Sequence, residues 1–344
     1  MIAVHGSDRP TARSMVLMTS PAPPTHLSTS APDAPPPVGD APRGNWVDTR
    51  APASWRPYLR LARADRPIGT WLLLLPCWWS LGLASLAQGQ AYPNLWSLAL
   101  FALGAFVMRG AGCAYNDVVD QDFDAKVTRT RSRPIPSGQV SARQALMFVV
   151  FLALVGLAVL VQFNAFTIVL AIASLALVLV YPFMKRVTNW PQLVLGLAFN
   201  WGALVGWSSA TGGLALPALV LYAGAVAWTI GYDTIYAHQD SDDDLMLGLK
   251  STALHFGAAT PYWIVLFYGI AIIAWGTAAA LAGAHAITFV ALAIVAAHFA
   301  WQVATLDTSN ADNCLKRFRS NRDAGLILFS GIVLDMAVAA LAGI

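Results

Sequence analysis

Nothing constrains this chain more than its long apolar blocks, which begin near Ile68 and recur to the C-terminus with hardly a charge inside them. A helix needs about 20 residues to cross about 30 Å of hydrocarbon. Inside lipid every backbone donor and acceptor must be satisfied within the structure itself, which a helix does and an open strand does not. Charged residues make up 11% of the chain, against about 25% in an ordinary soluble domain. The blocks predict nine transmembrane helices, over residues 68–87, 95–115, 142–162, 165–183, 191–209, 214–236, 261–282, 285–303 and 324–343. The weakest division is at 162–166, where only Gln162 and Asn164 interrupt the apolar run. The expected fold class is all-α, a polytopic membrane bundle.

Lysine and arginine set the orientation. The connections after the first, third, fifth and seventh spans carry none. Those after the even spans carry Lys126, Arg129, Arg131 and Arg133, then Lys185 and Arg186, then Lys250, then Lys316, Arg317, Arg319 and Arg322. One missed helix would scramble this alternation. The N-terminus and the even connections are therefore expected on the cytoplasmic side of a bacterial inner membrane, or on the matrix side of a mitochondrial one as the alternative. Residues 1–54 read as a disordered extension, with ten of the twenty prolines mixed among Ser, Thr and Ala. Such a segment buries too little apolar surface to offset its ordering entropy. The membrane domain is expected over 55–344.

Several function classes fall away. The formal charge of +3 comes without basic runs interleaved with aromatics, so nucleic acid is not an expected partner. Cys77, Cys113 and Cys314 have no metal-ligand spacing and read as small apolar fillers. The histidines show no ligand pairing either. Every acid in the chain is Asp, with no Glu.

Half of those acids lie in two short windows at the cytoplasmic ends of the second and sixth spans. The first is Asn116-Asp117-Val118-Val119-Asp120-Gln121-Asp122-Phe123-Asp124. Asn116, Asp120 and Asp124 repeat every four residues, so a continuing helix would set them on one face, with Cβ atoms about 5–6 Å apart. The second runs from Asp233 to Asp244, with Asp233, Asp240 and Asp244 again on one helical face. Carboxylates this close repel one another unless a cation intervenes. An all-oxygen set suits a hard cation, and Mg²⁺ completes its shell with waters and substrate phosphates. Two such clusters on one side of a bundle would grip a polyanion through metal.

Nearby bases extend the pattern. Tyr181 and Lys185 stand four apart in Tyr181-Pro182-Phe183-Met184-Lys185-Arg186, placing a phenol and an ammonium to reach one phosphate. Arg131 and Arg133 follow the first cluster, and Arg66 enters the first span in Asp65-Arg66-Pro67-Ile68-Gly69. Positive-inside topology alone also accounts for bases at these positions. Arg109 lies about two turns inside the second span, where its cost in hydrocarbon requires it to face the bundle interior. An enzyme holding a diphosphate and a transporter with an acidic cation site both fit these residues. A transporter places its site near midplane between broken helices, whereas these acids sit at one face.

The stretches Asp65–Gly69, Asn116–Asp124, Arg131–Gly138, Tyr181–Arg186 and Tyr232–Asp244 resemble, in order, the motifs of the UbiA-type intramembrane aromatic prenyltransferases. They are most similar to the 4-hydroxybenzoate polyprenyltransferase branch, through Tyr-Asp-Thr-Ile-Tyr-Ala-His-Gln-Asp at 232–240. The resemblance implies nine helices around a central cavity that opens sideways to membrane lipid. It implies Mg²⁺ as cofactor, polyprenyl diphosphate as donor and 4-hydroxybenzoate as acceptor, within ubiquinone biosynthesis. Asn116, Asp120, Asp124, Asp240 and Asp244 would hold the metal. Asp117, Asp233 and Lys185 would serve catalysis. Tyr181, Lys185, Arg186, Arg131 and Arg133 would bind the diphosphate, and Arg66 the acceptor carboxylate. Other aromatic acceptors remain the alternative within the same chemistry.

Overall fold

The computed structural model describes residues 41–343 apart from Arg43 and Thr128. No strand occurs among the described residues, and nine helices are long and apolar enough to cross a membrane. They are α1 (Ile68–Ala87), α2 (Leu95–Val119), α3 (Ala142–Leu160), α4 (Ala165–Val187), α5 (Pro191–Thr211), α6 (Leu216–Met246), α7 (Thr252–Leu281), α8 (Ala286–Ala304) and α9 (Ala311–Ala342). The weak division at 162–166 is real. Asn164 caps the start of α4 by accepting from Thr167 N, and its amide donates to the Ser208 carbonyl 2.8 Å away on α5.

Helix ends depart from the apolar blocks where polar turns stay helical beyond the hydrocarbon. α9 starts at Ala311 instead of 324, so Lys316, Arg317, Arg319 and Arg322 ride on a helix rather than a loop. Residues 1–40 of the Pro-rich extension lie outside the described residues. Packed structure begins before the boundary drawn at residue 54. Trp46–Thr49 forms one helical turn with Val47 fully buried, and Asp48 pairs with the buried Arg60 at 2.7 Å.

α1 is central and packs against α2, α5 and α9, while α6 packs against α5, α7 and α9. Where α1, α6 and α7 meet, Trp79, Trp228 and Trp275 form a buried triangle with centroids 4.8–5.6 Å apart. Two of the indole N–H groups are satisfied from α9, Trp79 by the Gly325 carbonyl at 2.8 Å and Trp228 by Asn321 Oδ1 at 2.7 Å. Between helices in lipid, close packing and satisfied polar groups replace the hydrophobic drive.

The α1–α5 crossing is the tightest. Gly202 lies against the Cys77 sulfur, and Gly206 against the Cys77 carbonyl. The Ser80 hydroxyl donates across the same contact to the Ala203 carbonyl. Two glycines four residues apart let the backbones approach. A valine at Gly206 would drive Cβ into the Cys77 carbonyl. Overpacking of this kind costs about 1–3 kcal/mol, so Gly206→Val is expected to lower the melting midpoint in detergent by several degrees. Gly213→Ala, where an added Cβ meets nothing within 4 Å, is expected to leave it unchanged.

Candidate active site

The two acidic windows meet. Asn116 and Asp120 from α2 line one pocket of about 140 Å³ together with Asp233, Asp240 and Asp244 from α6. Tyr181, Lys185 and Lys250 share its wall. Three local breaks bring these groups together. α2 ends at Val119, with Asp120 as its C-cap. α4 tightens into a 3₁₀ turn at Tyr181–Phe183, around Pro182, which redirects Lys185 and Arg186. α6 passes through a 3₁₀ turn at His238–Asp240 before the final turn, Ser241–Met246.

Basic side chains neutralise the acids. Asp120, 1% exposed, accepts from Lys185 Nζ at 2.6 Å, Arg186 at 3.0 Å and Asn116 Nδ2 at 3.1 Å. Asp240 is held in a two-pronged grip by Arg129 at 2.8 and 2.5 Å, a geometry that matches the guanidinium fork. Arg129 thereby ties the loop after α2 to the end of α6. Asp117, fully buried, accepts from Arg63 at 2.6 Å and Arg133 at 3.3 Å.

Two expectations from spacing need correction. Asp124 is not brought into the pocket, because the helix breaks at Asp120 and the short turn Gln121–Asp124 swings it to Arg133, 2.8 Å away. Burial raises the Asp124 carboxyl above its usual range, with Arg133 opposing the rise and Asp117 adding to it. Arg131 is exposed and lines neither cavity. In the run of turns after α2, Arg129 and Arg133 reach the acids and Arg131 does not. Arg66 is brought to the larger cavity but lies 3.3 Å from Asp65.

Sequence pattern gives Arg63 no role, and Arg129 only its part in the charge alternation. Arg63 holds a left-handed backbone, φ 57°, just past the short helix Arg56–Leu61, and that conformation aims its side chain at Asp117. A non-glycine residue there costs roughly 1 kcal/mol, which the charged hydrogen bond to a buried carboxylate offsets. Nothing in the local sequence marks the position.

The larger cavity, about 520 Å³, adjoins this pocket and shares Asn116, Tyr181, Asp233 and Tyr236 with it. Helices α1 to α6 and the N-terminal end of α9 line it. Its depth is apolar, with Leu72, Phe101, Leu160, Phe163 and Trp201 among the walls. Leu157 on α3 and Ile172 and Leu175 on α4 line the cavity and are also 40–48% exposed on the outer surface. The cavity therefore opens sideways between α3 and α4, toward the lipid. Arg109 reaches it from α2, with its guanidinium 5.1 Å from the Phe199 ring centroid.

The donor atoms of the small pocket are amide and carboxylate oxygens, a fit to a hard divalent cation. Among the described residues no three His, Cys or Asp side chains stand close enough together to hold a metal ion unaided. An open set of this kind suits Mg²⁺, which takes one or two carboxylates and leaves positions for water and phosphate.

The model of the UbiA prenyltransferase family matches residues 73–329. The chain belongs to this family. It is 51% identical over 291 residues to the mitochondrial 4-hydroxybenzoate polyprenyltransferase of Rattus norvegicus, covering 84% of this chain and 77% of that one. The Homo sapiens protein of the same name is 47% identical over 313 residues, covering 88% and 83%. Among solved structures, the apo UbiA homolog from Aeropyrum pernix K1 superposes with TM-score 0.64 at 28% identity, over 77% of this chain and 98% of that one. A UbiA homolog from Archaeoglobus fulgidus bound to GPP and Mg²⁺ shares the fold, with TM-score 0.62 at 18% identity over 82% and 99%.

For a UbiA-family prenyltransferase, the ion pairs separate two roles that substitution resolves. Asp120→Asn and Asp240→Asn keep the side-chain size and leave their partly exposed basic partners to water. They are expected to reduce prenyl transfer by about 100-fold or more, with a melting midpoint within a few degrees of the parent. Asp117→Ala instead removes a buried carboxylate from between Arg63 and Arg133, of which Arg133 keeps Asp124, at a cost of about 3 kcal/mol, and is expected to lower the melting midpoint clearly.

Proposed function

We propose that the protein transfers a polyprenyl group from polyprenyl diphosphate to the ring carbon ortho to the hydroxyl of 4-hydroxybenzoate, a step of ubiquinone biosynthesis. The observation that carries this reading is the shared pocket of Asn116, Asp120, Asp233, Asp240 and Asp244, set at the mouth of an apolar cavity open to lipid. The 4-hydroxybenzoate polyprenyltransferases that resemble the chain at about half identity support the choice of acceptor.

Asn116, Asp120, Asp240 and Asp244 would hold Mg²⁺, and when bound it would neutralise charge building on the leaving diphosphate. Lys185 and Arg186, now on Asp120, and Arg129, now on Asp240, lie where they can turn to phosphoryl oxygens as the aspartates turn to metal. Tyr181, in the wall of both cavities, adds a phenol donor at the same place. The polyprenyl tail is as apolar as lipid and would enter between α3 and α4, so it never needs to cross water. The apolar walls keep water from the allylic carbon while its bond to oxygen breaks. Arg66 is engaged by Asp65, whereas no carboxylate of the described residues lies within ion-pair distance of Arg109, which ends in the cavity. Arg109 is therefore the stronger seat for the acceptor carboxylate, and it would present the ring toward the reacting carbon. Asp233, between the two cavities, is the carboxylate best placed to receive the ring proton.

The site lies on the side rich in lysine and arginine. That side faces the cytoplasm in a bacterial inner membrane and the matrix in a mitochondrial one, and the relatives described above are mitochondrial proteins.

The test supplies the purified protein in lipid with labelled polyprenyl diphosphate, Mg²⁺ and a panel of aromatic acids. Release of diphosphate coupled to 3-polyprenyl-4-hydroxybenzoate is expected, and it should stop on chelation and return with added Mg²⁺. Turnover of a different acid with 4-hydroxybenzoate left untouched would overturn the acceptor and leave the transfer chemistry standing. Uptake of Mg²⁺ into vesicles without diphosphate release would favour a transporter instead.

A further inference from the structure

Charge around the larger cavity is unbalanced. Six arginines line it, Arg63, Arg66, Arg109, Arg129, Arg133 and Arg319, against two aspartates, Asp117 and Asp233. Four of the six are engaged by carboxylates: Arg63 and Arg133 by Asp117, Arg129 by Asp240, and Arg66 by Asp65. Of the other two, Arg109 sits deep, against Phe199. Arg319 is exposed, and no carboxylate of the described residues lies within ion-pair distance of it. It lies on α9, whose Leu315, Phe318 and Arg319 line the cavity. Their spacing of three and four residues defines a single face of the helix, so the Arg319 side chain belongs to the rim rather than to the outer surface. Phe318 is fixed there by the Tyr236 ring, 4.6 Å away.

The cavity thus has two entrances of different chemistry. The gap between α3 and α4 is apolar and faces lipid. The rim at the end of α9 is basic and faces water. We propose that Arg319 is the receiving residue for the anionic acceptor, which enters along this aqueous rim and passes inward to Arg109 while the donor comes from the side. This rests on the reading of the acceptor as an aromatic carboxylate. The physical case is that an uncommitted surface cation at the mouth of a low-dielectric cleft focuses the field on an incoming anion. The paired arginines offer less, because each already shares its charge with an aspartate. Arg319 lies outside the bond-making site, so its effect belongs to capture and selection, not to the chemical step.

The experiment compares the full-length parent with Arg319→Gln and Arg319→Glu in lipid, and with Lys316→Gln as a control for surface charge. Lys316 is exposed on the same helix and lines neither cavity. Initial rates are measured against 4-hydroxybenzoate and against neutral 4-hydroxybenzaldehyde, at low and high salt. Screening lengths fall from about 30 Å at 0.01 M to about 10 Å at 0.1 M. For Arg319→Gln, kcat/KM for the acid is expected to fall about five-fold at low salt, with a flattened salt dependence. Arg319→Glu should fall further. The donor KM, the kcat, the melting midpoint and the rate with the aldehyde should stay at parental values, as should every reading for Lys316→Gln. Equal losses with acid and aldehyde, or losses matched by Lys316→Gln, would overturn the assignment, and so would an unchanged KM for the acid in both Arg319 variants. If the parent itself does not turn over 4-hydroxybenzoate, the reading of the acceptor fails first, and that outcome is visible before any variant is compared.

Discussion

Like-charge repulsion at the edge of a bilayer is the constraint around which this molecule is arranged. Asp117, Asp120 and Asp124 are nearly closed to solvent, within eight residues of one another. Each would be intolerable alone at that depth. The protein meets the repulsion with bases drawn from three separate stretches: Arg63 before α1, Arg129 and Arg133 after α2, and Lys185 and Arg186 at the end of α4. The layer at the lysine- and arginine-rich end is therefore held by charge, while the membrane layer is held by close packing.

Such pairs differ in what they leave open. Asp117, fully buried, is held between two arginines. Asp120 and Asp240 have partners that remain partly exposed, with side-chain accessibilities of 20–32% for Lys185, Arg186, Arg129 and Asp240 itself. Partners that can be solvated can also be exchanged, which would free the carboxylates for a cation and the bases for phosphate oxygens. Protein bases hold the site together until substrate charge arrives.

The apolar cavity supplies the second half of the logic. A substrate with an isoprenoid tail has no reason to leave lipid, and a wall that opens between α3 and α4 asks nothing of water. A small aromatic anion belongs to the aqueous side. Building both entrances onto one cavity places the reacting atoms at the boundary between them, next to the acidic pocket.

Much of this was readable without coordinates. Apolar run lengths set nine crossings, and the alternation of lysine and arginine ordered them, because hydrocarbon thickness and charge asymmetry act on each segment separately. The Asp spacings named Asn116, Asp120, Asp233, Asp240 and Asp244, which depend only on helical periodicity. Spacing failed where the helix did not continue: the break at Asp120 turned Asp124 to Arg133. The glycine contacts of α5 with Cys77, the left-handed Arg63 and the helical start of α9 at Ala311 left no usable local signal. Sequence alone determined which segments cross the membrane and which carry the charges, since both are properties of a residue and its near neighbours. Only the tertiary structure decided which carboxylate meets which base and where the cavity opens, since those depend on how distant helices approach and where each one breaks.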